Sequence, residues 1–187
     1  MTMLREGLLD GRGVALAGGV PAAVRDALLG LGAAVKELDR GVEEEAAKSW
    51  AEGVGPLCGL VYDAGPEFAD GGQEPLRASM EAAWVAVRGV ATGALIPAGA
   101  GKAVLIAPCP DAGPFASAAR AALENLARTL SVEWARYGVG TVAIAPGART
   151  TDDELAELVC FLVSHAGEYL TGCVFDLGSG GLLRSGP

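Results

Sequence analysis

The chain has 187 residues, a net charge of −9, and a composition that is 51% hydrophobic but only 5% aromatic. One domain with a sizeable core fits that length, and an acidic balance with no Lys/Arg cluster argues against nucleic acid or an anionic membrane as partner. Without a stretch that reads as a secretory signal or a spanning helix, the sequence predicts a cytoplasmic protein. The four cysteines, Cys58, Cys109, Cys160 and Cys173, are far apart with no CxxC spacing, so free thiols are expected rather than disulfides or a metal site.

In chain order, Gly13 to Ala17 is a short apolar run followed by Gly18-Gly19, and Pro21 then opens a helical segment reaching about Leu31. Ala34 to Leu38 reads as a second strand, ending in Asp39, and Glu43-Glu44-Glu45 begins a solvated helix. Leu57 to Tyr62 is a third strand, closed by Asp63-Ala64-Gly65-Pro66, and residues 67 to 75 read as a Gly-rich loop. A long helix is expected over Leu76 to Leu95, bounded by Pro75 and Pro97, and Ala103 to Ala107 is a fourth strand running into Pro108-Cys109-Pro110. From Phe115 to Val139 the hydrophobic period is helical, with Ala119, Ala122, Leu123, Leu126, Leu130 and Trp134 on one stripe. Thr141 to Gly147 is a buried strand, Asp152 to Val163 a helix with Thr151 and Glu154 set for a capping box, and Cys173 to Leu177 a last strand before a Gly-rich tail. Strand–helix alternation throughout, with a core built from Ala, Val and Leu, predicts one α/β domain over residues 1–187: a Rossmann-like, doubly wound parallel sheet with helices on both faces.

Several segments carry a more specific likeness. GVALAGG near the start, LVYDAG, RAALENLARTLSVEWARYGV, VAIAPG and YLTGCVFDLGSGG together resemble the short-chain dehydrogenase/reductase family over most of the chain. The resemblance implies a Rossmann fold, NAD or NADP as cofactor, and a Tyr-x-x-x-Lys pair at the start of the long helix. Here Ala116 stands at the Tyr position and Arg120 at the Lys position; Pro108 follows Ala107 where a Ser would orient a carbonyl, and the relay Asn falls near Trp84. General acid catalysis needs a proton-bearing group within hydrogen-bond reach, and none of these residues supplies one. Ser117 and Tyr137 are the hydroxyls a divergent chemistry would have to recruit. The sole histidine, His165, reads as a surface or helix-end residue.

The cofactor side of the resemblance is also reduced. Gly18 and Gly19 are the remnant of a phosphate-binding loop, but Pro21, Ala22 and Ala23 replace its later glycines. Asp39, twenty-one residues beyond Gly18, is placed for a ribose hydroxyl or as a turn residue, and Asp63 for a cofactor contact or a turn. Only about seventeen residues join Asp39 to Leu57, which predicts the loss of one strand–helix unit, and Gly147 to Thr151 leaves no room for a substrate lid. The expected function is a catalytically inactive, structural or regulatory subunit with no cofactor, paired with itself or with a full-length relative. The alternatives are a divergent NAD(P)-dependent oxidoreductase and a small-ligand binding module. In the family two long helices pair with a second subunit, so an interface is expected on Trp84, Val87, Val90, Ala118, Ala121, Leu130 and Trp134, together with the C-terminal strand and tail.

Overall fold

The computed structural model describes residues 4–68 and 71–178. Among the described residues six strands, β1 (Gly13–Ala17), β2 (Ala34–Glu37), β3 (Gly59–Asp63), β4 (Gly101–Ile106), β5 (Val139–Ala145) and β6 (Val174–Asp176), form one sheet in the order β2-β1-β3-β4-β5-β6. Every pairing is parallel. The predicted fold class is therefore observed, with strand ends moved by only a residue or two.

Side chains on alternate strand positions sort onto two cores. Leu16, Val61, Val104 and Val142 lie in register across the central strands and face α1 (Ala22–Gly30) and α6 (Asp152–Val163). Ala17, Tyr62, Leu105 and Ala143 form the matching row on the other face. That second face is covered by α2 (Glu44–Gly53), α3 (Gln73–Val90) and α5 (Ala116–Glu133). The division follows from crossover handedness. The β1-to-β2 connection moves one way along the sheet and the β2-to-β3 connection moves back over β1, so right-handed crossovers put α1 and α2 on opposite faces. As a result α2 packs on α3 rather than beside α1. Gly89 makes this close approach possible, because a Cβ there would stand 2.6 Å from the Cβ of Ala47.

The long helices differ from the sequence reading in their ends. α3 starts at Gln73, takes Pro75 into its first turn, where no intrahelical donor is lost, and runs on through a π turn (Ala91–Leu95) into the short α4 (Ile96–Ala98). α5 stops at Glu133; a 3₁₀ turn, Ala135–Tyr137, and Gly138 at φ +70° then lead straight into β5. The capping box of α6 is present: Thr151 Oγ1 accepts from Glu154 N at 3.2 Å, and Thr151 N donates to Glu154 Oε2 at 3.0 Å. Because the strand–helix unit is missing, β2 is an edge strand. It carries exposed Lys36 and Glu37, which blunt that edge against further pairing. Among the described residues no helix is long and apolar enough to cross a membrane.

Candidate functional site

The carboxyl ends of β1, β3, β4 and β5 meet along one rim, and the strand order reverses between β1 and β3, where an open parallel sheet offers its ligand crevice. The first corner of this rim is the loop from Gly18 to Pro21. Gly18 has φ +83°, and a Cβ on it would stand 2.1 Å from the carbonyl oxygen of Asp63. Its glycine character is thus required by the end of β3. At Gly19 a Cβ would meet Arg40 Nη2 at 2.0 Å and Pro66 Cγ at 2.4 Å. The open side that a glycine would give a pyrophosphate is taken by the protein's own side chains. Pro21, at the N-cap of α1, brings no N–H, and its carbonyl already receives the N–H groups of Val24 and Arg25. In the position the fold would give a dinucleotide pyrophosphate, Gly19 is therefore crowded by Arg40 and Pro66, and Pro21 supplies no donor.

Beside this loop lies a cleft of about 340 Å³ bounded by Gly18, Gly19, Arg25, Glu37, Asp39 and Arg40. Asp39 is exposed at its mouth, in the place the sequence indicated. Asp63 is not in the cleft. It is only 7% exposed and its Oδ1 accepts from Gly65 N at 2.8 Å, the geometry of a turn residue. Burial pushes its carboxyl up to about 6, against the lowering influence of the Gly65 N–H and the Arg40 charge.

The second corner lies at the ends of β4 and β5, where the family has its chemistry. Arg120 Nη1 donates to the carbonyl of Pro108 at 2.8 Å and to that of Pro146 at 2.7 Å, tying together the loops that follow the two strands. Its side chain is 19% exposed, with Asp176 at 3.9 Å. Ala116 is buried against Phe68 and Ala119, so the first turn of α5 packs down where a phenol would need to stand free. Pro108 is buried, and exposed Cys109 beside it has its thiol held up by partial burial and by Asp111 and Asp63, the opposite of an activated nucleophile. Ser117 is exposed on α5. Tyr137 lies at the other end of the sheet, before β5, beside Arg136. His165 is also remote, exposed and paired with Arg12 and Glu168. The connection from Pro146 to Thr151 is a tight turn closed by Gly147 N donating to Thr150 Oγ1 at 2.8 Å, with no lid.

The structure corrects the placing of Trp84 and most of the expected interface. Trp84 is 40% exposed on the outer side of α3, under the guanidinium of Arg88, and does not face the rim. Its neighbour Ala83 is the residue buried in the core there. Val87, Val90, Leu130 and Trp134 lie in the chain's own core. They were misread because α2 adds a third helix to that face and the strands opposite present Ala103 and Ala143, which leave room for larger helix side chains. Ala118 and Ala121 are exposed on α5. The Gly-rich tail from residue 179 lies outside the described residues. Sequence reasoning missed Arg40, Pro66 and Ser79, whose buried hydroxyl donates to the Ala64 carbonyl at 3.2 Å. It also passed over Tyr62, although a Tyr at the end of the apolar run in LVYDAG was a visible signal.

No family model and no curated protein sequence matches the chain. Solved structures do. The citronellol catabolism dehydrogenase AtuB of Pseudomonas aeruginosa superposes with a TM-score of 0.76 at 23% identity, covering 94% of this chain and 96% of its own. A short-chain dehydrogenase/reductase family oxidoreductase from Burkholderia thailandensis gives 0.74 at 20% identity, covering 91% and 92%. The chain has the short-chain dehydrogenase/reductase fold. BdcA from Escherichia coli, solved in complex with NADPH, matches with a TM-score of 0.71 at 19% identity over 92% of this chain and 95% of that one. At these identities the likeness speaks for the fold, and the six strands and the helices on both faces are what it rests on.

Proposed function

We propose that this protein is a non-catalytic member of the short-chain dehydrogenase/reductase fold, acting as a structural or regulatory subunit, with itself or with an active relative as partner. The observation that carries the reading is Arg120: the cation at the position of the family's lysine is committed to two backbone carbonyls and is not available to a ribose or a phenol. The buried Ala116 and the occupied side of Gly19 support it independently. Association would use the outer faces of α3 and α5, where Trp84, Ala118, Ala121 and Val132 remain exposed. Calorimetry with NAD, NADH, NADP and NADPH tests the proposal. No binding at micromolar concentration is expected, and micromolar affinity for any of the four would overturn it.

A second reading, a divergent NAD(P)-dependent oxidoreductase, has its own support. The cleft beside Asp39 lies where this fold takes the adenosine half of a dinucleotide, and BdcA, of the same fold, is described with NADPH. It requires Arg40 to swing off Gly19 and an unassigned proton donor. Turnover with NADPH that is lost in Asp39→Ala would select it over the first.

A further inference from the structure

Across the Asp39–Arg40 corner from the first cleft, on the α3 side of the sheet, is a second cleft of about 280 Å³ that neither reading uses. Its inner wall holds Tyr62, a side chain only 1% exposed whose hydroxyl has no hydrogen-bond partner among the described residues. A buried hydroxyl left unpaired is a standing cost to the fold, and such groups in native proteins point to a partner absent from the protein itself. The surrounding charge says what kind. Asp39, Glu43, Glu67 and Glu81 line the cleft, with Arg40 the single cation among the lining residues. Glu81 already pairs on its outer side with Arg77 at 3.2 Å, yet the lining still carries more carboxylates than guanidinium groups, a balance that repels phosphate and carboxylate ligands and attracts an ammonium. The rest of the wall is short and apolar, from Val42 and the α3 residues Ala82, Val85 and Ala86.

We propose that this cleft binds a small primary amine, its ammonium held between the Tyr62 hydroxyl and the carboxylates of Glu67 and Glu81, its apolar body against Val85 and Ala86. A phenol oxygen accepts from an N–H donor while its own proton stays free for a carboxylate, so an ammonium satisfies Tyr62 without displacing any existing bond. The site does not depend on whether the chain transfers hydride.

The test is calorimetry of the full chain with phenethylamine, with putrescine for charge without an aromatic body, and with AMP as an anionic, adenine-bearing competitor. Sub-millimolar binding of phenethylamine is expected. Tyr62→Phe and Glu67→Gln should each weaken it by roughly tenfold, about 1.4 kcal/mol, whereas Glu6→Gln, remote from the cleft, leaves it unchanged. Tyr62→Phe should not lower the melting temperature, because the hydroxyl it removes is unpaired. The proposal is overturned by absence of amine binding at millimolar concentration, by equal binding to wild type and both variants, or by AMP displacing phenethylamine from the cleft.

Discussion

Replacing Arg120 with Met separates a strut from a ligand-binding cation, because Met keeps most of the aliphatic stem and removes only the guanidinium. The two bonds lost, at 2.8 and 2.7 Å, run from a charged donor to carbonyls of two buried prolines on neighbouring loops. Hydrogen bonds to charged groups contribute about 1.5–3 kcal/mol each, and a stranded buried carbonyl costs a similar amount. The two losses overlap and the site is partly open to water, so Arg120→Met should destabilise the fold by about 2–4 kcal/mol. For a domain of this size 1 kcal/mol moves the melting temperature by about 2–4 °C, which puts the shift at roughly 5–15 °C. Arg120→Lys keeps the charge but offers a single ammonium in place of a fork, and should lose about half as much. Urea titration followed by far-UV circular dichroism reads both, with an unchanged slope showing that the unfolded state is the same. If Arg120→Met unfolds within about 0.5 kcal/mol of wild type, the guanidinium is not holding the two loops, and its service to a ligand returns as the better explanation.

Restoring the family pair as Ala116→Tyr with Arg120→Lys should give no dehydrogenase turnover and a lower melting point, since a phenol at the buried first turn of α5 overpacks against Phe68; NADPH consumption by that variant would show that the packing yields to the chemistry. Asp63→Asn should stabilise the protein at pH 7–8 and give little gain near pH 4. The folded carboxyl titrates at about 6, above its unfolded value, so wild type loses stability as pH rises from about 4 through about 6, and the amide does not; a stability difference constant across that range would sink the argument. Leu130→Arg should unfold the chain rather than dissociate an assembly, because Leu130 is 1% exposed within its own core. Ala121→Arg, on the outer face of α5, is the variant expected to shift mass in size exclusion with light scattering while helicity stays intact, and unchanged mass would remove that face as the interface.

The strand–helix order and the parallel sheet were legible because hydrophobic runs of five to seven residues alternate with helical periods, and turn residues punctuate both. That Ala116 and Pro108 stand where the resemblance expects a Tyr and a Ser was legible too, since residue identity is a fact of the sequence. Side-chain direction on the second face was not. Periodicity places Leu130 and Trp134 on one stripe but does not say whether that stripe meets a sheet or another subunit. The answer depended on α2, whose face is set by the handedness of a crossover and not by its own residues. Nor did any local pattern show that Arg40, the neighbour of an acid already singled out, lies over Gly19.

The shortened connection after β2 accounts for more than a missing strand. With no further strand beyond β2, the chain must turn at Leu38–Val42 and cross β1 directly into α2, so residues 39–43 are laid along the ligand rim. That path brings Arg40 over Gly19, against Pro66, and removes the open approach to the loop. The same path carries Asp39 and Glu43 to the α3 side, where they join Glu67 and Glu81 around the unpaired Tyr62. The shortened connection thus crowds Gly19 and lays an acidic cleft beside it. The amine proposed for that cleft rests on this path of residues 39–43, because the turn that crowds the phosphate-binding loop is also the one that gathers the carboxylates.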